Sequence, residues 1–203
     1  MDADRGRLRV DVVLDAAQQI VAAFGGEILS MHAEARATVR ASAMVPVPAP
    51  FDVVVTTNGG YPLDQNLYQT VKGISAAATV VRPGGAIVAA AECRDGFPDH
   101  GSFREVLASA ATAKELLSMF MARERTVTDQ WQVQVLARVL DRAKVSVFNS
   151  YLSADDLASA HLDASSDVAA TVRTALAAAG PDARVCVLPE GPQTIPYLSP
   201  AGV

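Results

Sequence analysis

The sequence has little cysteine, little aromatic content and no excess of positive charge. Only Cys93 and Cys186 occur in 203 residues. A chain of this size buries roughly 70% of its unfolded surface without staples, so both read as reduced, buried thiols. Seventeen Lys and Arg oppose 22 Asp and Glu, a formal net charge of −5. With no basic run, the electrostatic footprint of a nucleic-acid or anionic-membrane binder is missing. The longest apolar runs, such as Ala86 to Ala91, fall far short of the roughly 20 residues of a membrane span. The start, MDADRGRLRV, has no signal-like apolar stretch. These absences predict a soluble, cytoplasmic chain that binds neither nucleic acid nor membrane.

Chemical signatures are equally sparse. His32, His100 and His161 are scattered, with no HExxH, CxxC or paired histidines, so no metal site is assigned. There is no GxSxG elbow, and no GxGxxG or GxxxxGK[ST] phosphate loop. No histidine stands near Cys93 to act as its base. No catalytic residue is assigned.

What is present is alternation of strand and helix patterns. LRVDVVL (8–14) and QIVAAF (19–24), joined by DAAQ, predict a hairpin, followed by a helix from Glu27 to about Ala43. Pro46, Pro48 and Pro50 suggest a semi-rigid connector. DVVVTT (52–57) and AIVAAAE (86–92) are near-continuous apolar runs of the kind buried on both faces of a parallel sheet. They flank a glycine loop, a helix from about Gln65 to Ala78 and an Arg82–Gly85 turn, which together make a right-handed βαβ unit. Helices are expected over 102–123 and 128–142, the second with Trp131, Val135, Val139 and Leu140 on one face. Strands are expected over 144–148 and 183–188, and helices from Ser153 and over 165–179. The predicted fold is α/β: a layered sheet of mostly parallel strands flanked by helices, with an N-terminal β-hairpin and helix. Residues 1–50 form the hairpin, helix and Pro-rich connector, and 51–203 form the α/β domain.

The stretch TTNGGYPLDQNLYQTVKG (56–73) carries the most chemistry. In open parallel sheets ligands gather outside the carboxyl ends of the strands. Asn58, Gly59 and Gly60 make a candidate anion-binding loop, since the glycines permit positive φ and the following helix offers free amides. Asp64 is the expected N-cap. Gln65, Tyr68, Gln69 and Lys72 recur at helical spacing, so a phenol, an amide and a cation could meet a carboxylate. Read from spacing alone, the same residues also fit a solvated helix face. Arg94, in the loop after the next strand, is a further candidate cation, although Arg94 and Asp95 also fit a plain surface loop above a packed Cys93.

DVVVTTNGGYPLDQNLYQTVKG, the Pro-Gly-Gly turn, AIVAAAECRDG and the late LPEGPQTIPYL together resemble the C-terminal domain of the nickel-dependent lactate racemase family. These 2-hydroxyacid racemases use a nickel-pincer nucleotide. The likeness runs from about Leu8 to Leu198 and is weakest between 100 and 180. It implies that Tyr68, Gln69 and Lys72, matching a Tyr-Gln-x-x-Lys segment, contribute to the substrate side of a cleft. It also implies that the cofactor is held mainly by an N-terminal domain missing here, together with the family's acid and base histidines. Such a chain cannot racemise alone.

The leading expectation is therefore a cleft-closing C-terminal domain, separately encoded or a fragment, acting on a 2-hydroxyacid with a cofactor-domain subunit as partner. Met1 and the intact hairpin favour a natural short chain. The alternatives are a free-standing, non-enzymatic carboxylate- or phosphate-binding module, and a remnant whose exposed face forms a homodimer.

Overall fold

The computed structural model describes residues 9–15 and 17–199; Leu8 and Ala16 of the expected hairpin lie outside them. The chain divides into two compact units, one ending at Met44 and the other beginning at Val45.

In the first unit, β1 (Arg9–Leu14) pairs antiparallel with β2 (Ile20–Gly26). The Asp15 carboxylate closes the turn by accepting from the Ala17 and Gln19 amides at 2.9 Å. Helix α1 (Ile28–Ala43) follows, capped by the Glu27 carboxylate on Leu29 N and Ser30 N. Only Met31 and Ala35 of α1 are buried.

The second unit is built on a five-stranded parallel sheet of order β7-β6-β5-β4-β8. Its strands are β4 (Phe51–Thr57), β5 (Val81–Ala90), β6 (Lys144–Phe148), β7 (Asp163–Ser165) and β8 (Val185–Leu188). Helix α2 (Leu67–Ala78) joins β4 to β5. Helices α3 (Phe103–Leu107), α4 (Ala113–Ala122) and α5 (Gln130–Leu140) lie between β5 and β6, α6 (Ala154–Ser159) between β6 and β7, and α7 (Val168–Ala179) between β7 and β8. One sheet face presents Val54, Ile87, Ala89, Val145 and Val147 to Leu67, Val71 and Ile74 of α2 and to Val133 and Leu136 of α5, the main core. Side chains alternate along a strand, so Val53 and Val88 point to the other face, which α7 covers. Each fully buried Leu or Ile contributes about 1.5–3 kcal/mol, so this one face carries most of the unit's stability.

Four local readings are corrected. The Pro-rich stretch begins not as a connector but as strand β3 (Met44–Val47), which pairs with β9 (Ile195–Leu198) in a sheet of its own. Pro46 is tolerated because a two-stranded edge needs few amides. The Arg82–Gly85 turn is absorbed into β5, where the register against β4 shifts between Phe51 and Val53 and Gly84 takes φ 74°. The expected helix over 102–123 breaks into α3 and α4, because Ser109 Oγ turns back on Val106 O and the Thr112 hydroxyl caps a fresh start on Glu115 N. Helix α5 is rotated from its expected face: Trp131 is 56% exposed, while Gln132 and Val133 are buried.

Candidate functional site

Strand β4 sends its crossover to β5 on one side of the sheet, and β8 lies on its other side. The carboxyl ends of β4 and β8 therefore flank a topological switch point, the place where an open α/β sheet forms a crevice. The loop Asn58–Gly60 leaves β4 there. Beside it stands a 3-10 turn, Gly191–Gln193, which follows β8.

This corner is held by close backbone approach. Gly59 and Gly60 take φ of 80° and 90° as expected, conformations that side-chain-bearing residues rarely adopt. Asn58 is 1% exposed and bridges antiparallel to Glu190. Its Nδ2 donates to Leu63 O at 2.6 Å and Gln69 O at 2.7 Å, so its amide is spent in tying the loop to α2. The Gly59 amide is also occupied, donating to Thr57 Oγ1 at 3.0 Å, and that hydroxyl donates to Pro189 O. The loop thus serves α2 as a scaffold more than it offers a row of free amides. Gly73 and Gly191 let the layers meet: a Cβ on Gly191 would lie 2.9 Å from Gly73 Cα and 2.5 Å from Thr56 Oγ1.

The helix cap is corrected. Asn66, not Asp64, caps α2, its Oδ1 accepting from Gln69 N at 3.0 Å, and the helix begins at Leu67. Asp64 is 7% exposed and ties the next loop down instead. Its Oδ2 accepts from Glu92 N and its backbone carbonyl from Cys93 N, both at 3.0 Å.

The three helix residues differ in their surroundings. The Tyr68 ring is half-buried, edge-on to Phe103 at 5.2 Å and to Trp131 at 5.9 Å between centroids. Its backbone carbonyl accepts from the buried Gln132 Nε2 at 2.7 Å. Burial, with the Asp129 carboxylate nearby, holds the phenol above its ordinary pKa of 10.0, so it remains an O–H donor at neutral pH. Gln69 is half-buried, yet its Oε1 is fully buried and has no hydrogen-bond partner. Lys72 is exposed, without an ion pair among the described residues, and lines an open depression with Gly191, Pro192 and Thr194.

Arg94 is exposed and already engaged, 3.3 Å from Glu92 and with its guanidinium 5.4 Å above the Tyr61 ring. No contact joins it to Lys72. Cys93 is fully buried in the left-handed region at φ 51°, and burial raises its thiol pKa; Cys186 is half-buried, and neither forms a disulfide. Among the described residues no three His, Cys, Asp or Glu side chains converge on a point that could hold a metal. His161 is spent on Leu107 O at 3.0 Å.

Trp131 and Gln132, which hold Tyr68 from α5, were missed by sequence reasoning. The available signal was the pair Gln130 and Gln132 within an otherwise apolar helix, since amides at buried positions mark partners to be satisfied.

The chain that builds this corner is similar to known proteins over most of its length. The family model of the lactate racemase C-terminal domain matches residues 47–195. The chain belongs to that family. Lactate racemases from Thermoanaerobacterium thermosaccharolyticum and Lactiplantibacillus plantarum are each 34% identical to it, over 188 and 184 residues. Those matches cover 92% and 90% of this chain but only 44% and 43% of the racemases. The structure of the lactate racemase apoprotein from T. thermosaccharolyticum superposes with a TM-score of 0.85 at 32% identity, over 93% of this chain and 45% of that one. A Thermotoga maritima protein superposes at 0.63 with 11% identity, over 95% of this chain and 49% of that one, a likeness of fold alone. The chain thus spans less than half the length of the curated relatives it matches and corresponds to their C-terminal part; in them the N-terminal part belongs to the same polypeptide. Among the described residues no helix is long and apolar enough to cross a membrane.

Proposed function

We propose that this chain supplies the substrate-side, cleft-closing wall of a lactate-racemase-like 2-hydroxyacid racemase. The observation that carries the reading is a pair on α2: the buried, unpartnered acceptor Gln69 Oε1 and the unpaired Lys72 ammonium, three residues apart. A 2-hydroxycarboxylate offers what both lack. Its carboxylate meets Lys72 in a charge-assisted contact, and its hydroxyl donates to Gln69 Oε1 once the amide turns outward to meet it, relieving a buried group that otherwise costs about 1–3 kcal/mol. Tyr68, held by Phe103, Trp131 and Gln132, forms the adjoining wall and presents a neutral phenol.

By family, the redox step belongs to a nickel-pincer nucleotide. The described residues of this chain do not assemble a ligand set for nickel, so in this reading its binding falls to the part of the racemase that this chain does not span. Alone, the chain binds without turnover.

The test is calorimetric titration of the chain with D-lactate, L-lactate and inorganic phosphate at low salt, beside Lys72→Ala and Gln69→Ala. The lactates bind; Lys72→Ala weakens them about tenfold or more, the value of one hydrogen bond to a charged group, and Gln69→Ala weakens lactate more than phosphate. Lactate binding indifferent to both substitutions sinks the reading. Phosphate binding as tight as lactate, lost with Lys72 but not with Gln69, replaces it with the non-enzymatic anion-binding module.

A further inference from the structure

At the opposite ends of the strands from Lys72 lies a second feature. Helix α7 covers the sheet face that α2 and α5 leave bare, yet none of its residues is buried. It stands off the strands over a cavity of about 410 Å³, which the small residues on its sheet-facing side leave unfilled. Volumes of this order hold small-molecule ligands. Val88 and Ala86 form part of the floor, and Ala170 and Ala175 of α7 part of the roof.

The polar groups are laid out by strand register. Lys144 and Ser146 are two apart on β6 and share a face, and Ser146 is paired with Asp163 on the neighbouring strand β7. A cation, a hydroxyl and a carboxylate therefore stand in sequence on one side of the sheet, and all three line the cavity. None of these side chains has a hydrogen bond or ion pair among the described residues. Arg82 and Asp52, also at the rim, are already paired with each other: Arg82 Nε donates to Asp52 Oδ1, and the second oxygen of Asp52 accepts from Arg184 N at 2.8 Å. An anion alone would meet Asp163, and a cation alone would meet Lys144. A molecule with both charges on neighbouring atoms and an apolar body satisfies the whole set.

We propose that this cavity is a binding site for a free α-amino acid with an apolar side chain. Its carboxylate accepts from Lys144 Nζ and the Ser146 hydroxyl, its ammonium donates to Asp163, and its side chain lies between Val88 and the alanines of α7.

The experiment is amide NMR of the full 203-residue chain, titrated to millimolar concentrations with L-leucine, isoamylamine and 4-methylpentanoate, which carry both charges, the ammonium only and the carboxylate only. L-leucine shifts resonances of α7, β6 and β7, and each one-charge analogue binds about tenfold more weakly or worse. Lys144→Met weakens L-leucine to the level of isoamylamine. Ala175→Leu, which fills the cavity and leaves the charged rim intact, abolishes the shifts while the chain stays folded. Absence of shifts at α7 and β6 overturns the proposal. So does binding of either one-charge analogue as tightly as L-leucine, or L-leucine shifts that persist in Ala175→Leu.

Discussion

Asn58 stands at the tip of β4 with its side chain 1% exposed, and Asn58→Ala measures what its amide does. The two bonds it donates, at 2.6 Å to Leu63 O and 2.7 Å to Gln69 O, span the loop and the first turn of α2. Each is worth about 0.5–1.5 kcal/mol net, and a carbonyl left buried without a donor costs about 1–3 kcal/mol. The expected loss is therefore about 2–4 kcal/mol. In a domain of this size that lowers the melting temperature by roughly 4–16 °C. Urea unfolding followed through Trp131, the one tryptophan of the chain, reads the second unit directly. Asn58→Asp loses at least as much, because it turns an oxygen toward two carbonyl oxygens. A loss below about 0.5 kcal/mol, the level of an ordinary surface substitution, would refute the argument. If phosphate binding then fell as well, Asn58 would return to the ligand side of the loop.

Two further substitutions probe the same scaffold and its far edge. Gly73→Ala places a Cβ 2.2 Å from Asn58 Oδ1 and 3.3 Å from Thr57 O. The Asn58 amide is pinned by two bonds, so overpacking of about 1–3 kcal/mol or more outweighs the roughly 1 kcal/mol of helix propensity gained; calorimetry showing a net rise in melting temperature would contradict it. Asp52 is held below its ordinary pKa of 3.8, first by the Arg184 amide and then by Arg82. Its stabilisation is therefore complete above the unfolded value and is lost as pH falls through the folded one. Below about pH 4 the wild type should lose stability more steeply than Asp52→Asn, and parallel denaturation profiles for the two would remove Asp52 from the acid transition.

The strands of the parallel sheet were legible because burial on both faces demands unbroken apolar runs. DVVVTT, AIVAAAE and KVSVF read as strands from their residue pattern, and β4, β5 and β6 occupy them. The helix carrying Tyr68, Gln69 and Lys72 was legible from its spacing, but its cap was not. Asp64 and Asn66 are both good capping residues, and the choice depends on Asp64 being drawn away to the Glu92 amide. Strands β3 and β9 were hidden by their prolines and by pairing across most of the chain. The side of Trp131 was misread because Gln130 and Gln132 look solvent-bound until partners for their amides are visible: Arg123 Nη1 and Val127 N for Gln130 Oε1, and Tyr68 O for Gln132 Nε2.

By itself, the sequence determined the α/β class, the βαβ unit, the positive-φ glycines at 59 and 60 and the racemase-domain family, all of which rest on local pattern or on ordered short motifs. Only the tertiary structure decided that Asn58 faces inward, that Gln69 Oε1 is buried without a partner while Lys72 is free, and that α7 rides above a cavity. The reason is physical. Whether a polar group is spent or available depends on which distant backbone atoms arrive within hydrogen-bonding distance, and the local pattern of residues carries no record of that.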